Sequence, residues 1–298
     1  MRTHFLVLAA LVALAAGCGS SGRQDVSSEP PTGGPPSGGP MPTAVPAADG
    51  KVTTSGLVTV LDAGSGPELC LGGVAESYPP QCGGPKLVGF SWDERAGQFE
   101  QANGVRWGEF AVTGTFDGVQ LRVTGVIPEA LYDAARPPHE EDRLATPCPE
   151  PKGGWRVLDP AKTTPGSMQA VFERARRLPG YAEAWLDQSR NPARKPDNDP
   201  AHATINVRVT REPARAEAEL RKVWGGALCV TRAEHTEAEL LRVQRRLQHL
   251  PGMLTASSSR DVVDVEVVHD DGTLQAWVDA TYGPGLVRIS SALVPASG

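Results

Sequence analysis

The first apolar run of the chain, Phe5 to Ala16, is rich in Leu, Val and Ala. It falls short of the roughly 20 residues that a membrane-spanning helix needs. The stretch from Gly19 to Asp49 then carries almost no large apolar side chains, and Pro-rich and Gly/Ser-rich pieces alternate along it. Such a segment buries too little surface to offset its ordering entropy, so it reads as a flexible, semi-extended spacer. From Lys51 onward short β-type runs appear. Leu57 to Leu61 is a β-branched apolar run closed by Asp62-Ala63-Gly64-Ser65-Gly66-Pro67, which predicts a strand and a turn. Lys86 to Trp92, Gly108 to Thr115 and Val119 to Val126 follow as candidate strands, the last two joined across Asp117-Gly118, a strong hairpin signal. In the last run Leu121, Val123 and Gly125 alternate with Gln120, Arg122 and Thr124, the period of a strand with one buried face.

Residues 128–165 are rich in Pro and charge and read as a linker. Beyond them the period switches. Gly166 to Leu178 predicts a helix that stops before Pro179-Gly180, and Asn191 to Pro200 is a polar breaker. Thr204 to Val209 alternates as a strand. Pro213 suits a first helical turn, and Ala214 to Trp224 continues as a helix closed by Gly225-Gly226. Ala227 to Thr231 predicts a strand, and Thr236 with Glu239 forms a capping box. The helix it opens carries Leu240, Val243, Leu247 and Leu250 on one stripe. Two strands (Met253 to Ser257, Val262 to Val268), a helix (Leu274 to Tyr282) and a strand (Leu286 to Val294) complete the series.

The expected class is therefore α+β. The β body at 51–127 resembles a small OB-like barrel in the pattern V-T-G-T-x-D-G-V-x-L-x-V. The body at 166–298 follows the β-α-β-β-α-β order of a ferredoxin-like α/β sandwich, with an extra βα unit ahead of it. Ferredoxin-like folds host many activities, so this order carries little functional weight.

Arg2 precedes the first apolar run, and Ala15-Ala16-Gly17-Cys18 follows it. This arrangement resembles the cleavage box of a bacterial lipoprotein signal, with Ala15 where the usual pattern has Leu. The resemblance implies a signal peptide at 1–17, palmitate-type acylation of Cys18 and a Pro/Gly/Ser tether at 18–50. Each buried acyl methylene contributes about 0.8 kcal/mol, so two or three chains hold a protein at a membrane without a spanning helix. The plainer alternative is a secretory signal cut near Ala16. With Cys18 acylated, Cys70, Cys82, Cys148 and Cys229 remain, an even set in an oxidising compartment. Four cysteines allow three pairings. Cys70 with Cys82 is chosen because both lie in the compact stretch ELCLGGVAESYPPQCGGP, which leaves Cys148 with Cys229.

The formal net charge of −6 argues against nucleic acid as a partner. Arg174, Arg176 and Arg177, like Arg242, Arg245 and Arg246, read as solvated helix faces. His139-Glu140-Glu141-Asp142 and His269-Asp270-Asp271 are acidic turns lacking a second ligand set, so no metal and no cofactor is expected. His202 and His235 read as surface or cap residues. The chain has no G-x-S-x-G, S-x-x-K set, H-E-x-x-H, P-loop or G-x-G-x-x-G after a strand, and no catalytic residue is assigned. Phe90, Trp92, Trp107, Phe110 and Phe116 could line a ligand face on the β body, although aromatics in so small a body usually fill its core.

LDAGSGPELCLGGVAESYPPQCGGP and RWGEFAVTGTFDG together resemble uncharacterised secreted lipoproteins of the high-GC Gram-positive type. The resemblance implies location on the extracytoplasmic face of the cell membrane, lipidation at Cys18 and a Cys70–Cys82 bridge, and no reaction. The leading expectation is a non-catalytic binding or interaction module of the cell envelope, with an envelope protein or glycan as partner. The alternatives are a small-ligand or glycan binder using the β-body aromatics, for which exposed Trp92 and Trp107 are the discriminating feature, and an envelope hydrolase with scattered residues.

Overall fold

A computed structural model describes residues 38–133, 144–191 and 198–296. These residues carry a mixed, sheet-rich α/β fold. The β body contains β1 (Lys51–Thr54), β2 (Val58–Asp62), β3 (Glu68–Cys70), β4 (Lys86–Val88), β5 (Glu100–Ala102), β6 (Val105–Phe116) and β7 (Gln120–Pro128). Strand β6 organises them. Its first half pairs with β2 and β5 and its second half with β1 and β7, all antiparallel. From β2 the pairings run through β3 and β4 to β7, which returns to β6. Inside this circuit Val60, Leu69, Leu87, Phe110, Val112, Phe116 and Leu121 are buried. At the bulge in β6 a Cβ on Gly114 would overlap the Arg122 carbonyl, so only glycine permits this close backbone approach. The Asp117-Gly118 hairpin forms as its sequence predicts. Asp117 Oδ1 accepts from the backbone N–H of Val119 (2.9 Å) and Gln120 (2.8 Å).

The α/β body departs from the expected single ferredoxin-like sheet. The element order is α1 (Pro165–Ala175), β8 (Tyr181–Asp187), β9 (Thr204–Val209), α2 (Pro213–Arg221), β10 (Ala227–Arg232), then α3 (Glu237–Leu247), β11 (Met253–Ser259), β12 (Val262–Val267), α4 (Thr273–Tyr282) and β13 (Val287–Ser291). Two three-stranded sheets form, β10-β9-β8 and β11-β12-β13. In each, the middle strand is antiparallel to its predecessor and parallel to its successor. The body is therefore the same α-β-β-α-β unit built twice. Strand β8, absent from the sequence expectation, supplies the partner that makes β9 part of its own sheet, so β10 has no need of β12.

The sequence carries the duplication too. The interval from Thr164 to Thr236 equals that from Leu178-Pro179-Gly180 to Leu250-Pro251-Gly252. Both threonines cap their helices through a capping box. Ile205, Val207 and Val209 are buried under the first helix pair, as Val263, Val265 and Val267 are under the second. Ala216 and Leu220 on α2 match Leu274 and Val278 on α4.

Two sequence boundaries move. Within the expected tether at 18–50, residues 38–50 pack on the body. Met41 joins the core of the second half, Val45 and Ala48 pack on the β core, and Ala48 N–H donates to the Phe116 carbonyl (2.9 Å). Of the expected linker at 128–165, Pro128 ends β7, Glu129–Leu131 form a short 3-10 turn, and the part from 144 on straps the face of the first sheet opposite its helices. Trp185 Nε1 donates to the Leu144 carbonyl (3.0 Å), Thr146 donates twice to Asp187 Oδ2 (2.8 and 2.6 Å), and Cys148 is bonded to Cys229 of β10. Asp187 is pushed up by burial, but the hydrogen bonds from Thr146 and Ser189 outweigh this and hold its carboxyl below the ordinary range.

The final strand β14 (Leu293–Pro295) leaves the second half and pairs with β1, tying the last residues into the β sheet. The described residues accordingly belong to one compact unit. Among the described residues no helix is long and apolar enough to cross a membrane.

Candidate binding groove

The helix pair of the first half leaves an open groove of about 750 Å³ between α1 and α2. Helix α1 starts where Thr164 caps Ser167 N–H (3.1 Å), with Pro165 in the first turn. Its buried positions Val171 and Ala175 face the sheet, as do Ala216 and Leu220 of α2. The groove is lined by Ala170, Leu178 and Val223, by the basic Arg174, Arg177, Arg211 and Arg215, and by the acidic Glu173, Glu212 and Glu219. Arg174 reaches across from α1 to donate to Glu219 of α2 (2.7 Å), and Lys222 holds the same carboxylate (2.6 Å). These two hydrogen bonds, Lys222 first, pull the Glu219 carboxyl down to about 2. Arg174 Nε is buried with no partner among the described residues. Arg215 pairs loosely with Glu212 (3.4 Å). Arg177 and Arg211 are exposed and, among the described residues, form no ion pair. The groove thus combines apolar side chains with mixed charges, of which Arg177 and Arg211 are exposed without an ion-pair partner among the described residues.

The matching groove of the second half is filled by the chain itself. Aligning the halves on their buried positions sets Leu178 with Leu250, Ala216 with Leu274, Glu219 with Trp277 and Val223 with Thr281. Trp277 Nε1 donates to the Gly39 carbonyl (3.4 Å). Gly38 lies so close to Thr281 that a Cβ there would overlap Thr281 Oγ1. Met41 packs into the cluster containing Leu250, Leu274 and Val278. Val45, farther on, sits against Gly252, the counterpart of Gly180. A Gly-Gly-Pro-Met segment, bent at Gly38 and Pro40 with Gly39 at φ +76°, therefore occupies in one half the place that is open in the other.

A smaller cavity of about 250 Å³ lies where the halves meet, lined by Tyr181, Glu183, His235, Glu237, Arg260 and Asp261 among others. Two of its carboxylates are held by an arginine behind it. Arg208 pairs with Glu183 (2.9 Å) and with Asp261, and Arg260 stacks over Trp185 at 5.7 Å. Asp261 also accepts from the N–H groups of Glu234 and His235 (both 2.9 Å). Burial pushes Asp261 up, but these hydrogen bonds and Arg208 hold its carboxyl below the usual range. This cluster is a clasp between the halves.

The residues singled out by sequence fall elsewhere. Cys70 is bonded to Cys82 and Cys148 to Cys229, with Cα atoms 5.5 and 5.8 Å apart. Cys18 and His139 to Asp142 lie outside the described residues. Trp92, Trp107, Phe110 and Phe116 are buried, so the aromatic face expected of a glycan binder is absent among them. Trp92 Nε1 and Arg106 both donate to buried Asp62 (3.2 Å each), fixing the loop after β2. His202 pairs with Asp199 at the surface (2.7 Å). His269 is buried within 3.2 Å of the Leu293 carbonyl, and Asp270 caps α4 by accepting from the N–H of Leu274 and Gln275. Among the described residues no group of His, Cys, Asp and Glu has metal-site geometry. Sequence reading took Arg174 and Arg177 for a solvated face and missed the groove. The repeated Leu-Pro-Gly was the signal that could have aligned the halves. No protein-family description matches the chain, and no curated protein matches it.

Proposed function

We propose that the mature protein is a lipoprotein held by acyl chains on Cys18 at the extracytoplasmic face of the cell membrane, where it acts as a non-catalytic binding module of the envelope. The observation that carries this reading is the open groove between α1 and α2, whose Arg177 and Arg211 lack carboxylate partners among the described residues. Charges left unpaired beside an apolar floor are a feature of binding surfaces, where a partner supplies the missing contacts. The two disulfides support an oxidising compartment. In this reading the β body is a small OB-like barrel that serves as a platform: β14 and residues 45–48 hold it to the α/β body. The burial of Trp92 and Trp107 counts against a glycan-binding role for its aromatics.

Two experiments test the reading. Intact-mass analysis of the purified protein is expected to show acyl chains on Cys18 and no free thiol; an unacylated chain retaining its first seventeen residues contradicts the anchor. A photo-crosslinking amino acid placed at Val223 in living cells is expected to yield an adduct with an envelope partner. The same residue at exposed Thr255 serves as the control. Equal adducts at both positions, or none at Val223, contradict the groove as the site.

A further inference from the structure

We propose that the α1/α2 groove takes an acidic peptide segment of another envelope protein, laid along it as residues 38–45 lie along the second half. This rests on the binding-module reading and names the partner of that same site. The occupied half serves as template. Gly38 needs its missing side chain to pass Thr281, Gly39 presents a carbonyl to the side chain at 277, and Met41 fills the apolar floor. The corresponding positions in the first half are Val223, Glu219 and the floor of Leu178 and Ala216; the Glu219 carboxylate, held by Arg174 and Lys222, only accepts, so the Trp277-to-carbonyl bond has no counterpart there. A strand entering in the same direction passes Val223 first and leaves at the end bounded by Leu178, Pro179 and Arg211.

The halves differ in charge along the groove wall, where Glu219 stands for Trp277 and Glu173 for Arg245, and again at the exit. Arg177 and Arg211 replace His249 and His269, in the region that Val45 approaches in the second half. The ligand pattern is therefore two small residues, an apolar residue two positions after the second, and carboxylates two and four positions beyond that. The chain's own segment has Thr43 and Val45 at those last two places, so it is matched to the half it fills and lacks the charge that the open half asks for.

The test uses the full mature protein and three fluorescein-labelled octapeptides. One has the sequence of Gly38–Val45, one has Glu at the places of Thr43 and Val45, and one has Lys there. The expected result is saturable binding of the Glu peptide, tighter than the Lys peptide by about fivefold, the size expected of two exposed charge contacts. The preference should vanish in the R177A/R211A double variant, whose substituted residues are both exposed. A second variant, V223W, should block both peptides while keeping the wild-type circular dichroism. Equal affinity for the Glu and Lys peptides, a preference that survives R177A/R211A, or no saturable binding overturns the proposal. If the Val223 crosslink forms while the peptides fail, the groove remains a binding site and the acidic-strand chemistry falls. An adduct of twice the protein's own mass identifies a second copy as the occupant and likewise refutes the assignment to another protein.

Discussion

Removing the Cys148–Cys229 bond should destabilise the protein more than removing Cys70–Cys82, and the reason lies in the loops each closes. The first spans a sequence separation of 81 residues and the second only 12. In the chain-entropy description the unfolded chain loses more freedom to the longer loop. The two contributions come to about 4.5 and about 2.8 kcal/mol at 25 °C. For a body of this size each kcal/mol moves the melting midpoint by about 2–4 °C, so the C148A/C229A variant should melt about 9–18 °C below wild type, against about 6–11 °C for C70A/C82A. Alanine is the right replacement because Cys229 is 1% exposed and a serine hydroxyl would sit there without a partner. The larger loss should come with a local signature. The strap at 144–158 should become a site of proteolysis, since among the described residues its remaining ties are hydrogen bonds such as Thr146–Asp187, Trp185–Leu144, Arg190–Trp155 and Leu158–Gly225. Differential scanning calorimetry with limited proteolysis reads both. Equal losses, a larger loss for the short loop, or an unchanged midpoint in C148A/C229A would refute the reasoning and with it the structural weight given to an oxidising compartment.

Other consequences follow from the clasp, the template groove and the groove's carboxylate. R208A removes the cation shared by Glu183 and Asp261, whose side chains are 24% and 13% exposed. Asp261 keeps two backbone N–H donors, so the cost in urea unfolding should be about 2 kcal/mol, between a surface pair and a fully buried one; a change under about 0.5 kcal/mol would show that the clasp adds nothing beyond a surface pair. W277A removes the donor to Gly39 and the ring beside Met41, so residues 38–44 should become open to protease while the melting curve keeps its shape; continued protection would undo the template argument. Glu219 has a folded pKa of about 2, below its unfolded value. Its contribution is therefore fully present above the unfolded pKa and is lost as pH falls toward 2. E219Q should flatten the acid limb of the stability curve between pH 5 and pH 2 (an approximate window, about one unit around the two values), and an identical limb would contradict the assignment.

Much of the secondary structure was legible in the chain because local chemistry agreed with the fold. Thr236 and Glu239 cap α3 as their spacing requires, Asp117-Gly118 turns the hairpin, and the alternation at Thr204–Val209 is the strand β9. Three features were hidden for physical reasons. Strand β8, Tyr181-Ala-Glu-Ala-Trp-Leu-Asp, is made largely of residues with weak strand preference and is held by its pairing with β9. Residues 38–50 have the small, Pro-rich composition of a spacer; they are ordered by the fit of Gly38 against Thr281 and of Met41 in a core built far along the chain. The groove depends on which flank of α1 meets which flank of α2, so Arg174 and Arg177 could not be told from the solvated arginines of α3 by spacing alone. Sheet partnership was the costliest omission: without β8 the strands of two small sheets read as one.

Hydrogen exchange read by mass spectrometry, on the mature protein with and without the Glu-bearing octapeptide, tests the binding groove most directly. The account predicts slower exchange confined to the segments around α1 and α2, with α3, α4 and the β body unchanged. Protection appearing on α3 and α4, or no protection on either helix pair at saturating peptide, would contradict it.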